Sequence, residues 1–286
     1  MLAVNPEGST SIYIIMYPVE TMKEKKIEDM PRSQQRRVTV MKPNLSRKLL
    51  SQISLSYDCK SIIYGTLLGD ACLQQTKGYK NARLSIRHSS AQQEYFDWKV
   101  RSLQEIASPK SVQVSKSSGH STKPSLLFQS RACEPLTQIM SVTHKGKKLR
   151  IQRRWLNHLT ALSLAVWWCD DGSIISNGRK GVLCTDGFDE SSVRLLANYL
   201  RIVWDINVRV GTIKRDRKYG NYSQSEYYRL WFSTGELQKW LRIIMPHIPV
   251  SSMVRKVMLI YKSSDFQQRW ISEVRQALPQ FASSSS

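Results

Sequence analysis

Aspartates stand at the ends of two short apolar segments of the chain. The segment Ile62–Leu68 leads to Asp70, and the segment Leu162–Cys169 leads to Asp170 and Asp171. Both segments are predicted to be helices that carry an acid at their end. If the two helices pack side by side, Asp70 and Asp171 come together, and neighbouring carboxylates bind hard divalent cations. Such cations can activate a water and stabilise the leaving oxygen in phosphodiester hydrolysis.

Small residues recur on both predicted helices at a spacing of four. They are Gly65 and Gly69 in the first helix and Ala161, Ala165 and Cys169 in the second. Residues four apart lie on the same face of a helix. Each helix therefore has one face without bulky side chains, and the pattern predicts a close approach between the two.

The elements that must position these acids form a weak internal repeat from about residue 57 onward. In the first half a predicted strand, Arg83–His88, precedes an amphipathic helix, Gln92–Ile106. In the second half the strand Gly181–Thr185 precedes the helix Ser191–Val203. The order of elements is the same in both halves, and each repeat has an acid in the same place. This coincidence favours a functional pair of acids over the alternative that either one is an ordinary solvated helix end.

A third unit of each half is predicted to be a strand that enters a capped helix. The segments are Leu126–Glu134 and Arg229–Leu237, in which Ser130 and Ser233 are predicted helix caps. Both halves then end in a basic pair of residues. These pairs are Lys147-Lys148 and Arg255-Lys256.

The charge of the chain indicates an anionic polymer as its partner. The 286 residues include 43 Lys and Arg against 22 Asp and Glu, a formal net charge of +21, and the basic residues recur along the whole chain. No apolar run approaches the roughly 20 residues that span a bilayer, so no membrane partner is expected. The five cysteines have no spacing typical of a zinc site. Nucleic acid is the predicted partner.

The two acid-bearing segments resemble the signature helices of the LAGLIDADG homing endonucleases, in the single-chain branch with two motifs. The resemblance covers about residues 57 to 262. The first motif departs from the family pattern at Ala71 and Cys72, where Gly and Ser are usual. The segments that carry the resemblance are Ile63–Ala71, Leu164–Ser173, Lys147–Gly172, Val182–Leu200 and Met245–Val257.

This resemblance implies an α+β fold built from two pseudo-symmetric αββαββα repeats. Each repeat would form a saddle-shaped antiparallel sheet, and two helices would form the central interface. The expected divisions are a basic, partly disordered N-terminal extension at 1–56, a first half at 57–152, a second half at 153–275 and a disordered tail at 276–286.

The resemblance also implies a site-specific double-strand DNA endonuclease of the intron-homing kind. Asp70 and Asp171 would hold Mg²⁺ or Mn²⁺, with the neighbouring positions Ala71 and Gly172 in the metal site. Asp170 is expected to be less important. Lys148 and Lys256 match the lysines of the family's active site.

The expected DNA partner is a double strand with a long, partly asymmetric site, bound by a monomer in a mitochondrion or chloroplast. Strand residues would contact base edges in the major groove, where Arg pairs with guanine and Gln with adenine. The candidates are Gln74, Arg83, Ser85, Arg87, Gln113, Ser115, Lys116, Gln129, Ser176, Arg179, Lys180, Arg209, Lys214, Arg229 and Trp231.

Three other functions fit part of the pattern. An intron-encoded RNA maturase that assists group I intron splicing would use the same basic surface, and intron RNA is therefore a second candidate partner. A DNA-binding regulator on a degenerate fold would need a helix-turn-helix, which the residues after about 262 do not suggest. A generic basic ribosomal-type protein would explain the charge but not the duplicated acids.

Overall fold

The computed structural model describes residues 54–115, 124–215 and 225–284, all within the compact unit Lys48–Ser286. Almost all of the predicted extension 1–56 lies outside the described residues. The first repeat contains seven elements in the order αββαββα. They are α1 (Tyr57–Thr66), β1 (Ala71–Gln74), β2 (Arg83–Ser89), α2 (Gln93–Ser102), β3 (Val112–Ser115), β4 (Ser125–Gln129) and α3 (Glu134–Thr143).

A short hairpin and a single helical turn lead from the first repeat to the second, which has the same order of elements. The connection comprises β5 (His144–Lys145), β6 (Lys148–Leu149) and α4 (Arg153–Leu156). The second repeat comprises α5 (Ala161–Asp171), β7 (Gly172–Ile175), β8 (Lys180–Cys184), α6 (Glu190–Trp204), β9 (Val208–Arg215), β10 (Ser225–Phe232) and α7 (Thr234–Ile244).

The sheet topology confirms the predicted α+β repeat. The strand orders are β1-β2-β4-β3 and β7-β8-β10-β9, and all pairings are antiparallel. The two sheets are therefore equivalent strand for strand. None of the helices that the structure describes has the length and apolar composition of a membrane span.

Helices α1 and α5 form the predicted central interface. Ser56 caps α1 by accepting from the Cys59 amide, and Thr160 caps α5 by accepting from the Ser163 amide. A Cβ atom on Gly65 would lie 2.9 Å from the Cα atom of Ser163, so only glycine permits this approach. The Ser163 hydroxyl also donates to the Ser61 carbonyl at 2.8 Å across the interface.

One of the two predicted helix caps is wrong. Ser233 caps α7 by accepting from the Glu236 amide, as expected. Helix α3, in contrast, begins after Cys133 without a side-chain cap. Ser130 is buried, and its hydroxyl accepts from the Leu84 amide of β2 at 2.8 Å. A buried backbone amide requires an acceptor, and the Ser130 side chain provides it.

The predicted tail at 276–286 also needs correction, because its first residues are ordered. Helix α8 (Ser264–Ala277) runs past the expected end of the second half, and a 3-10 helix follows at Pro279–Ser284. Trp270, Val274 and Leu278 are buried. Their spacing of four places them on one apolar face, which packs against the core.

Candidate active site

The two predicted metal-binding acids lie at the ends of the central helices. Asp171 is the last residue of α5, and Asp70 follows the turn that ends α1. Asp171 lines an open cleft of about 300 Å³ that also includes Leu68, Gly69 and Asp186. The Asp70 side chain is 33% exposed. Both carboxylates are thus accessible from solvent.

The electrostatic environment of Asp70 and Asp171 favours their neutral forms. Desolvation, with the charge of Asp170 second, raises the pKa of Asp70 to about 6. Desolvation and then the charges of Asp70 and Asp170 raise the pKa of Asp171 to about 7. The negative charges of these carboxylates are therefore not fully compensated by the protein. A bound cation would reduce the repulsion between them.

Asp170 has a different environment, because its side chain is fully buried and paired. The Lys99 ammonium lies 2.6 Å from Asp170 Oδ1, and the two side chains are 1% and 0% exposed. The hydroxyls of Tyr95 and Thr66 donate to the same carboxylate at 2.9 and 2.8 Å. Sequence reasoning missed this cluster, although Lys99 interrupts the apolar face that Tyr95 and Phe96 begin on α2.

His88 lies between the buried ion pair and Asp70. Its Nε2 atom is 3.3 Å from Lys99 Nζ, and its Nδ1 atom is 3.1 Å from Gln92 Oε1 and 3.6 Å from Asp70 Oδ2. Burial, with the Lys99 charge second, lowers the pKa of His88 to about 4, so the ring is neutral at neutral pH. A neutral ring that accepts from Lys99 at Nε2 carries its proton on Nδ1.

Ligand atoms of Asp70, His88 and Asp170 lie within 4.8 Å of one another, a spacing that would allow a metal site. Lys99, however, contacts both His88 Nε2 and Asp170 Oδ1. Two of these three groups are therefore already engaged by an internal cation. Of the three, Asp70 has the most exposed side chain, at 33%.

The two predicted lysines lie in different surroundings. Lys256 caps the C-terminal end of α5, where its ammonium donates to the carbonyls of Cys169 at 2.5 Å and Gly172 at 3.1 Å. Its cationic charge complements the negative end of that helix, next to Asp171. Lys148 is exposed on the β5–β6 hairpin, opposite Lys145. Ala71, by contrast, is buried at the start of β1.

The first sheet presents its predicted DNA-contacting residues on the face opposite the core. Leu84 and Ile86 of β2 are buried, while Arg83, Ser85 and Arg87 alternate with them. The strand register then places the remaining described candidates of this half on the neighbouring strands, since Gln74 pairs with Arg83, Gln129 with Ser85, Gln113 with Leu127 and Ser115 with Ser125. Lys116 lies outside the described residues.

In the second sheet, three predicted contacts, Arg229, Arg209 and Trp231, are engaged by neighbours within the protein. Arg229 donates through Nε and Nη2 to the carboxylate of Asp186 at 2.6 and 2.5 Å. The guanidinium of Arg209 lies over the Trp231 ring, 5.9 Å from its centroid.

Three of the remaining candidates lie at or near the β7–β8 turn, and one lies on β9. Ser176 and Arg179 belong to the turn itself, in which Ser176 has a φ of 53°. Lys180 begins β8 and is exposed. Lys214 of β9 lies 3.4 Å from Glu226 across the strand pair.

Comparisons with known proteins place this architecture among nucleases. A family model described as the LAGLIDADG DNA endonuclease family matches residues 60–239. A curated protein named RecA, from Mycobacterium gastri, is 26% identical over 249 residues, which is 82% of this chain and 55% of that protein. A probable intron-encoded endonuclease 1 from Wickerhamomyces canadensis is 27% identical over 166 residues, 55% of this chain and 70% of that protein.

A solved structure also has this fold. The homing endonuclease I-WcaI, bound to its DNA recognition sequence, matches with a TM-score of 0.60 at 21% identity, over 78% of this chain and 97% of that chain. At this identity the match shows the shared fold. The chain spans about half the length of the RecA relatives that it matches.

Proposed function

The chain belongs to the LAGLIDADG DNA endonuclease family, and we propose that it is a site-specific double-strand DNA endonuclease of the homing type. The observation that carries this proposal is the pair of equivalent acids, Asp70 and Asp171, at the ends of two helices packed closely enough to exclude a side chain at Gly65. A duplicated acid at the seam of two repeats would offer one carboxylate for each of two DNA strands.

Mg²⁺ or Mn²⁺ fits the donor set of this site. Asp70 and Asp171 offer hard oxygen ligands. Desolvation raises their pKa values most and neighbouring carboxylates raise them further, and a cation would neutralise the charge of those carboxylates. The carbonyl of Gly172 is a weaker candidate ligand than expected, because it already accepts from Lys256 at 3.1 Å. When bound, divalent metal would supply activated water and stabilise the leaving oxygen.

Residues of the chain itself position the two acids and supply positive charge near them. The two central helices would hold Asp70 near Asp171, whose pKa the charge of Asp70 raises after desolvation. Lys256 offsets the negative carbonyls at the end of α5. Lys148, exposed on its hairpin, is free to approach a phosphate of bound DNA and to neutralise charge there.

The sheets provide the proposed DNA surface. Their polar faces carry Arg83, Arg87 and Arg209, and a net charge of +21 would draw the phosphate backbone to them. Asp186, which pairs with Arg229, would hold that guanidinium in one orientation. Since both halves come from one chain, a monomer would cover both halves of a DNA site.

A cleavage assay tests the proposed function. The target would be selected from a library of random double-stranded DNA, and cutting would be measured with Mg²⁺ and with a chelator. Cleavage of both strands that requires Mg²⁺ would support the proposal. Tight binding of group I intron RNA without any DNA cleavage would instead favour the maturase alternative.

Metal binding should strengthen as the pH rises, because protons compete with the metal for Asp70 and Asp171. With pKa values of about 6 and 7, both groups are mostly protonated at pH 5.5 and mostly ionised at pH 8. We expect the Mg²⁺-induced rise in melting temperature to be small at pH 5.5 and several degrees at pH 8. Equal Mg²⁺ stabilisation at the two pH values would contradict this assignment of ligands.

A further inference from the structure

The carboxylate of Asp170 belongs to the second repeat but is enclosed by residues of the first. Oδ1 accepts from the Lys99 ammonium at 2.6 Å and from the Tyr95 hydroxyl at 2.9 Å. Oδ2 accepts from the Thr66 hydroxyl at 2.8 Å and, more weakly, from the backbone amide of Asp70 at 3.4 Å. A carboxylate has about four lone-pair positions. These four donors therefore leave no position for a metal ion.

We propose that Asp170 is a positioning residue for Asp70, holding the turn that carries this acid rather than binding metal. The inference rests on the proposed nuclease function. The contact to the Asp70 amide fixes the backbone of that turn, and the contact to Thr66 fixes the end of α1. Lys99, which is buried, holds the Asp170 carboxylate in place through their ion pair.

Of the two acids, only Asp70 receives this support from the other repeat. The residue that precedes Asp171 is Asp170, whereas the residue that precedes Asp70 is Gly69. A Cβ atom on Gly69 would lie 2.5 Å from the Cβ atom of Asp170, so the first repeat leaves this space for the carboxylate of the second. The pseudo-symmetric site is therefore asymmetric, since Asp70 depends on Asp170 and Asp171 has no equivalent carboxylate from the other repeat.

The asymmetry has a consequence for the two DNA strands. In a pseudo-twofold enzyme on a duplex, the two repeats face opposite strands, and each acid lies nearer one of the two scissile phosphates. Loss of the Asp170 contacts should displace Asp70 more than Asp171. The strand served by Asp70 should then be cut more slowly than the other strand.

The test measures cutting of each strand separately. A supercoiled plasmid carrying the selected target is cut with Mg²⁺, and the appearance of nicked and linear forms is followed for the parent and for Asp170→Asn. We expect Asp170→Asn to slow one strand about 10- to 100-fold more than the other, the usual cost of losing a support behind a ligand, so that nicked circles accumulate. End-labelled DNA identifies the slow strand.

A compensating variant separates positioning from metal binding. Asp170→Asn leaves the buried Lys99 ammonium without its counter-charge, and adding Lys99→Met removes this charge. Because an Asn side chain can still accept from the Asp70 amide, the double variant should recover part of the lost rate. If Asp170 were a metal ligand, the double variant would remain as slow as Asp170→Asn, which would overturn the proposal.

Further variants test whether a general folding defect, rather than loss of positioning, causes the strand bias. Tyr95→Phe removes one hydrogen bond to Asp170 and should produce a smaller bias toward the same strand. Ile139→Ala destabilises the buried core away from the site, and Glu273→Gln breaks an exposed ion pair with Arg242; neither should favour one strand. If the parent cuts both strands, and both Asp170→Asn and Tyr95→Phe slow the two strands equally, the inference is overturned. A parent that cuts neither strand would overturn the proposed function and this inference with it.

Discussion

Asp171→Asn is expected to lower the rate of DNA cleavage by about 10³-fold or more, and Asp70→Asn should have an effect of the same order. Each substitution removes a carboxylate that the proposed chemistry needs to hold metal against the phosphodiester. DNA affinity should stay within a few-fold of the parent value, because phosphate contacts are made by basic residues elsewhere on the chain. Single-turnover cleavage and gel mobility shift measure the two quantities. Undiminished cutting by both variants would refute the site.

The stability of Asp171→Asn provides an internal control for this result. Because the folded protein raises the Asp171 pKa from 3.8 to about 7, the carboxyl group favours the folded state when protonated, and this contribution is lost as the pH rises through 7. At pH 8 without metal, Asp171→Asn should thus be more stable than the parent by about 1 kcal/mol, after allowance for solvent screening. It should also lose most of the stabilisation by Mg²⁺.

The repeat and its two acids were predictable from the sequence because both depend on local patterns. Gly65 was one of the small residues that predicted a close approach of α1 to α5, but on α5 it meets Ser163, which is not among the predicted Ala161, Ala165 and Cys169. The equal order of elements in the two halves predicted equivalent sheets. These patterns can be recognised in a single sequence because each spans only a few residues or recurs at the same place in both repeats.

The charge pairing inside the site was not predictable, because it joins residues that are distant in sequence. Asp170 was expected to matter less than Asp171, and Lys99 was not singled out on the helix predicted to be amphipathic. Only the fold shows that Lys99 is buried and paired with Asp170 across the two repeats. The same holds for Arg229, whose partner Asp186 lies on a separate loop. A buried charge requires a partner, but the sequence does not say which one.

Gly65→Ala is expected to impair both the fold and the site, because the added methyl group would meet backbone rather than a mobile side chain. Its Cβ atom would lie 2.9 Å from Ser163 Cα, so α1 and α5 would have to move apart. Overpacking of this kind costs about 1–3 kcal/mol of unfolding free energy.

The separation of the two helices should also displace Asp70 from Asp171, and a misplacement of about 1 Å can slow a reaction about 10²-fold. Gly235→Ala is the matched control, since a Cβ atom at this position in the first turn of α7 would meet nothing within 4 Å. Chemical denaturation and single-turnover cleavage compare the two variants. If Gly65→Ala unfolded and cut like Gly235→Ala, the tight packing of the central helices could not be what brings the two acids together.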